Sequence, residues 1–142
     1  MAHRLWTWLF LILVLFLAGP GTALSTVLII VNSEVTESEL DKGELERIYL
    51  GKKSRWDDKT TIVPAMLKGG GTHEEFVDQY LDRTMQRFVS YWRQMVFTGK
   101  GVPPKSFATE AELRNFVATT PGAVGYLSAG ASLPGVRALT IR

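Results

Sequence analysis

The chain has no cysteine. That absence excludes disulfides, thiolate metal sites and a lipid-modified N-terminal cysteine, so any core is held by burial alone. Histidine is nearly as scarce, with only His3 and His73 present. Charge of one sign is lacking too: 16 basic residues against 14 acidic leave a net charge of +2, which gives no argument for a nucleic-acid partner. There is no internal repeat, no low-complexity linker, no G-x-S-x-G elbow and no Gly-Lys-Ser/Thr ending of a Walker loop. A Ser/His/Asp triad would have to use His73, and its expected place in the first turn of a surface helix gives no sign of a base. His73 with Glu74 and Glu75 does not make a ligand set, because sequence neighbours point around a helix. The expectation is therefore a protein that is not an enzyme, with no catalytic residue, no metal and no cofactor.

Long hydrophobic runs are limited to one. Leu5 to Leu17, interrupted only by Thr7, follows Arg4 and ends before Gly19-Pro20-Gly21. At about 13 residues it falls short of the roughly 20 needed to span a bilayer. Gly21 and Ala23 supply small residues at the −3 and −1 positions of a cleavage site. Residues 1–23 thus read as a secretory signal peptide cleaved after Ala23, and residues 24–142 as one exported domain, periplasmic or secreted, with a single modest core.

Within that domain, Thr26 to Val31 is apolar on both faces and reads as a buried central strand. Asp41-Lys42-Gly43-Glu44 is a capping box that opens a short helix over Lys42 to Leu50, and Gly51 supplies its left-handed end. Lys52, Lys53, Arg55 and Lys59 surround Trp56-Asp57-Asp58. The two aspartates offset half the charge, so this reads as a solvated loop with Trp56 folded onto the core. Thr61 to Leu67 reads as a second strand, with Pro64 suggesting an edge or a bulge. Thr72-His73-Glu74-Glu75 reads as a second capping box, and Thr84 starts a further helix. That helix places Met85, Phe88, Val89, Trp92, Met95 and Val96 on one stripe, a pattern that points to core. Thr109 to Glu112 is a third box, and Ala123 to Leu127 and Val136 to Ile141 read as two last strands. The mixed order indicates an α/β layer with helices packed on a small sheet.

The sharpest local feature is strand, Gly69-Gly70-Gly71-Thr72, then helix. Glycines let successive N–H groups turn to one spot, and the helix adds its unpaired first-turn amides and the positive end of its dipole. Such an arrangement suits phosphate, sulfate or a carboxylate; the bland alternative is a flexible loop before a capped helix.

Four stretches carry a resemblance. Glu44 to Lys52 followed by Arg55-Trp56-Asp57-Asp58, the strand Val27 to Asn32, Trp92 to Gly101 with Pro103-Pro104, and Thr120-Pro121-Gly122-Ala123-Val124-Gly125-Tyr126 resemble, in order, motifs of phosphate ABC transporter substrate-binding proteins. The resemblance implies a single lobe of the type II periplasmic-binding-protein fold: α/β, with a small mixed sheet packed with about four helices. It also sets Met66 to Thr72 against the family's R-x-D-G-S-G-T anion loop. The first Gly and the last Gly-Thr are kept; Met66, Lys68 and Gly70 replace the arginine, aspartate and serine. The implied anion site is Lys68, Gly69, Gly70, Gly71 and Thr72, binding a phosphate-type oxyanion weakly, on the order of millimolar. The partners implied are that anion, an ABC permease or another envelope protein, and a second copy of the chain; no nucleic acid is expected. The alternative is a single-lobe periplasmic interaction or accessory protein that has lost its ligand.

Overall fold

The computed structural model describes residues 27–142. The expected signal peptide lies outside the described residues. Seven strands and four helices are interspersed among the described residues. They are β1 (Val27–Asn32), β2 (Glu39–Leu40), α1 (Lys42–Tyr49), β3 (Val63–Leu67), α2 (Gly71–Leu81), α3 (Met85–Phe97), β4 (Lys105–Phe107), α4 (Glu110–Thr119), β5 (Ala123–Ser128), β6 (Val136–Ala138) and β7 (Thr140–Ile141). The main sheet is mixed, in the order β4-β3-β5-β1-β6. β3 runs parallel to β4 and β5, and β1 runs antiparallel to β5 and β6. The expected α/β fold with four helices is observed.

β1 and β5 lie inside the sheet, which is why both are apolar on both faces. Adjacent residues of β5 face opposite layers. A Cβ on Gly125 would lie 2.6 Å from Leu113 of α4, whereas Tyr126 stacks on Phe76 of α2 at 3.9 Å between ring centroids. Helices therefore cover both faces of the sheet. Ile29, Leu45, Ile48, Phe76, Leu81 and Leu113 are among the side chains fully buried between these layers, each stabilising the fold by roughly 1.5–3 kcal/mol.

Three polar fixtures hold the layers in register. Asn32, at the end of β1, donates from Nδ2 to the carbonyls of Val117 (2.9 Å) and Ala118 (3.1 Å), and its Oδ1 accepts from the Glu34 amide. It thereby satisfies carbonyls that α4 leaves open at its C-terminus. Trp56 is buried, as expected, and its Nε1 donates to Gly122 O at 2.9 Å. Gly122 has φ +77°, and a Cβ there would sit 2.1 Å from Thr61 O, so only glycine fits. Arg137 donates to the carbonyls of Val35 and Glu37, tying β6 to the loop after β1.

Several elements differ from expectation. Pro64 does not mark an edge, because β3 lies between β4 and β5. Its pairing changes sides at that residue: Val63 and Pro64 are in register with β5, and Ala65 to Leu67 with β4. The missing proline N–H coincides with the end of the β5 ladder. Two tyrosine hydroxyls take over beyond it: Tyr49 donates to Ala65 O at 2.8 Å, and Tyr126 accepts from the Leu67 amide at 2.9 Å. The last strand is split at the buried Leu139, and β7 pairs parallel with β2 in a separate two-stranded sheet. The α3 stripe is core only in part. Phe88 and Trp92 are buried, but Val89 and Val96 are 45% and 55% exposed.

Candidate functional site

The site is built where β3 gives way to α2. The Lys68 amide donates to Phe107 O of β4 at 2.9 Å, the last ladder bond before the loop. Gly69, Gly70 and Gly71 then run through open, exposed space, with nothing within 4 Å of where a Cβ would lie. Gly70 has φ 94° and ψ 171° and is the N-cap of α2. That region is essentially restricted to glycine, so the family's serine would be strained in this backbone. The Gly70 carbonyl accepts from the Glu74 amide at 3.0 Å. By contrast, the amides of Gly69, Gly70, Gly71, Thr72 and His73 have no partner among the described residues. Several of these are the orphan donors of a helix start, at the positive end of its dipole.

Two expectations about this segment need correction. Thr72 is not a cap: α2 starts at Gly71, and no side chain caps it. The flexible glycines let the helix begin before the threonine, and Glu75 instead accepts from Gln79 at 2.8 Å. His73 is not solvated. It is 3% exposed, and its Nδ1 lies 2.5 Å from the Tyr126 hydroxyl. Burial lowers its pKa below 6.5, and the Glu74 charge opposes that shift. Because the Tyr126 oxygen already accepts from Leu67, its own proton is free to go to Nδ1 of a neutral imidazole. The Tyr126 phenol is held well above its ordinary pKa by burial, so it stays protonated.

Leu67 and His73 bracket the glycine loop. One hydroxyl therefore ties both of its ends to β5. The Tyr126 ring is fixed by its stack on Phe76, which in turn takes the edge of Tyr49 at 4.7 Å. The loop is free of side chains, yet its two anchors are rigid. Sequence reasoning placed Lys68, Gly69, Gly70, Gly71 and Thr72 together, and they are contiguous here. It did not find Tyr126, whose only signal was its position in the Thr120 to Tyr126 motif.

Beside the loop lies a pocket of about 560 Å³, walled by Met66, Phe88, Trp92, Val96, Lys68 and Arg93, with His73 at its inner end. Phe97, 90% exposed, also lines it. The pocket wall includes Met66, so the position that the resemblance sets against an arginine is apolar here.

No family model matches this chain, and no curated protein matches its sequence. Solved structures do match. PstS from Borrelia burgdorferi is similar at 16% identity and TM-score 0.65, over 82% of this chain and 47% of that protein. A Clostridium perfringens protein solved with bound phosphate, described as a phosphate ABC transporter substrate-binding protein, matches at 16% identity and TM-score 0.65, over 82% of this chain and 44% of its own length. An ABC-type phosphate transport receptor from Vibrio cholerae matches at 16% identity and TM-score 0.56, over 82% and 46%. The chain thus shares the fold of such binding proteins and spans less than half the length of those it matches.

Proposed function

We propose that this chain is an extracytoplasmic phosphate-type binding module rather than an enzyme. In this reading it supplies one wall of an oxyanion site and works with an ABC permease or another envelope protein. The supporting observation is the run of five consecutive amides from Gly69 to His73, at the start of α2, that have no partner among the described residues. Lys68 stands beside them without an ion-pair partner among the described residues and supplies the charge. The likeness to phosphate-binding proteins supports the same reading.

Magnitude sets the affinity. Charge-assisted hydrogen bonds contribute about 1.5–3 kcal/mol when shielded from water and less when open to it. Two or three such bonds at the exposed loop come to about 4 kcal/mol, a dissociation constant near millimolar. Amide NMR titration with phosphate and sulfate tests this. Saturable shifts confined to Gly69 through His73, at millimolar anion, are the expected outcome. No shift at tens of millimolar would remove the anion role. The accessory-protein reading, favoured by Met66 and Lys68 in place of arginine and aspartate, would then stand.

A further inference from the structure

The pocket next to the loop is lined in a way an inorganic anion does not need. Its walls are Met66 from β3 and Phe88, Trp92 and Val96 from α3, and its volume of about 560 Å³ lies within the usual range for small-molecule sites. Its polar groups are few and of one kind. Lys68 and Arg93 reach it without an ion-pair partner among the described residues. His73 is 3% exposed and lines the pocket; with Nδ1 given to Tyr126, its Nε2 is left as a donor with no partner among the described residues. α3 itself carries Arg87 and Arg93 and no acidic residue. The two residues that flank the glycine loop, Lys68 and His73, both line the pocket, so the loop starts and ends beside it.

Apolar walls, cationic edges and an unpartnered N–H donor together describe an amphiphilic anion. We propose that the loop and pocket form one site for a phosphomonoester with an alkyl or aryl body. The phosphate head lies on the loop amides and Lys68, and the body lies against Met66, Phe88, Trp92 and Val96. The inference rests on the oxyanion reading of the loop and adds the class of its substituent. A second copy of the chain is a poorer occupant, because pairing α3 with α3 would bring Arg93 towards its own counterpart with no acidic residue on either helix.

Each buried methylene strengthens binding by up to about fourfold, and a half-open pocket realises about half of that free energy, about twofold. The test titrates the purified full chain with inorganic, methyl, butyl and octyl phosphate, all as free monomers, by calorimetry. The expected result is millimolar inorganic phosphate and octyl phosphate tighter than butyl by on the order of 10-fold. Val96→Glu, a change at an exposed position, should collapse the octyl-to-butyl ratio. If inorganic phosphate binds and chain length has no effect, the pocket inference fails and the oxyanion reading survives. If neither inorganic nor alkyl phosphates bind, both fail. Equal binding of octanol and octyl phosphate overturns the proposal by making the head irrelevant. So does binding to vesicles of anionic lipid without binding to monomeric octyl phosphate, and so does a sedimenting dimer that occludes the pocket.

Discussion

Replacing Tyr126 by phenylalanine removes one oxygen atom and nothing else of consequence to packing, since the ring can keep its stack on Phe76 at 3.9 Å. That oxygen serves two buried partners. It accepts from the Leu67 amide at 2.9 Å and meets His73 Nδ1 at 2.5 Å. Neither partner has another protein group to turn to among the described residues. Leaving a buried polar group unsatisfied costs about 1–3 kcal/mol, so two cost about 2–6 kcal/mol. A domain of this size is stable by only about 5–15 kcal/mol, so a loss of that size is large. The variant's melting temperature should fall on the order of 10 °C. Urea denaturation measures the change directly, as a lower midpoint with an unchanged slope. The double variant Tyr126→Phe with His73→Phe removes both members of one pair and should recover part of the loss. A single-variant loss below about 0.5 kcal/mol would show that the hydroxyl does not hold the loop's ends, and the account of its rigid anchors would be wrong.

Other outcomes follow from the same geometry. Folding lowers the His73 pKa, so the unfolded chain takes up a proton that the folded chain refuses. Stability should therefore be full above pH 6.5 and decline as pH falls below it; His73→Gln should flatten that decline, and equal pH slopes in parent and variant would contradict it. Asn32→Ala should cost about 2–4 kcal/mol in chemical denaturation, because two carbonyls at the end of α4 and the Glu34 amide lose their partner together. Gly70→Ala should cost about 1–3 kcal/mol by forcing an L side chain into φ 94°. The same variant should weaken phosphate binding in the amide titration without any change of charge. Gly122→Ala should fail to fold, read as loss of near-ultraviolet dichroism, since its methyl would collide with Thr61 O at 2.1 Å.

Much of the architecture was legible where a local rule acts alone. The Asp41 and Thr109 capping boxes form as read, each with reciprocal side-chain and backbone bonds. Gly51 takes its expected left-handed conformation at φ 72°. The Thr72 box misled because the glycines before it allowed an earlier helix start, a choice the T-x-x-E pattern does not encode. The α3 stripe misled for a different reason: periodicity says which side chains share a face, not whether anything covers it. β2 and β4, of two and three residues, are too short to carry a period. His73 was invisible as a buried residue because its partner, Tyr126, lies 53 positions away and only the folded sheet brings them together. At the site, contiguous residues were found from sequence, and the residue that anchors them was not.

The placement of β1 has a consequence for how this chain comes to be folded. It is the first described strand, yet its partners are β5 and β6, the strand beginning at Ala123 and the one ending at Ala138. The centre of the sheet therefore cannot close until nearly the whole polypeptide is present, and such distant pairings form late. In the extracytoplasmic reading proposed above, a chain that threads through a narrow translocation pore as an open strand would benefit from that delay. On that reading, the segment that leads the way would have nothing to zip onto until the far end of the chain had followed it through.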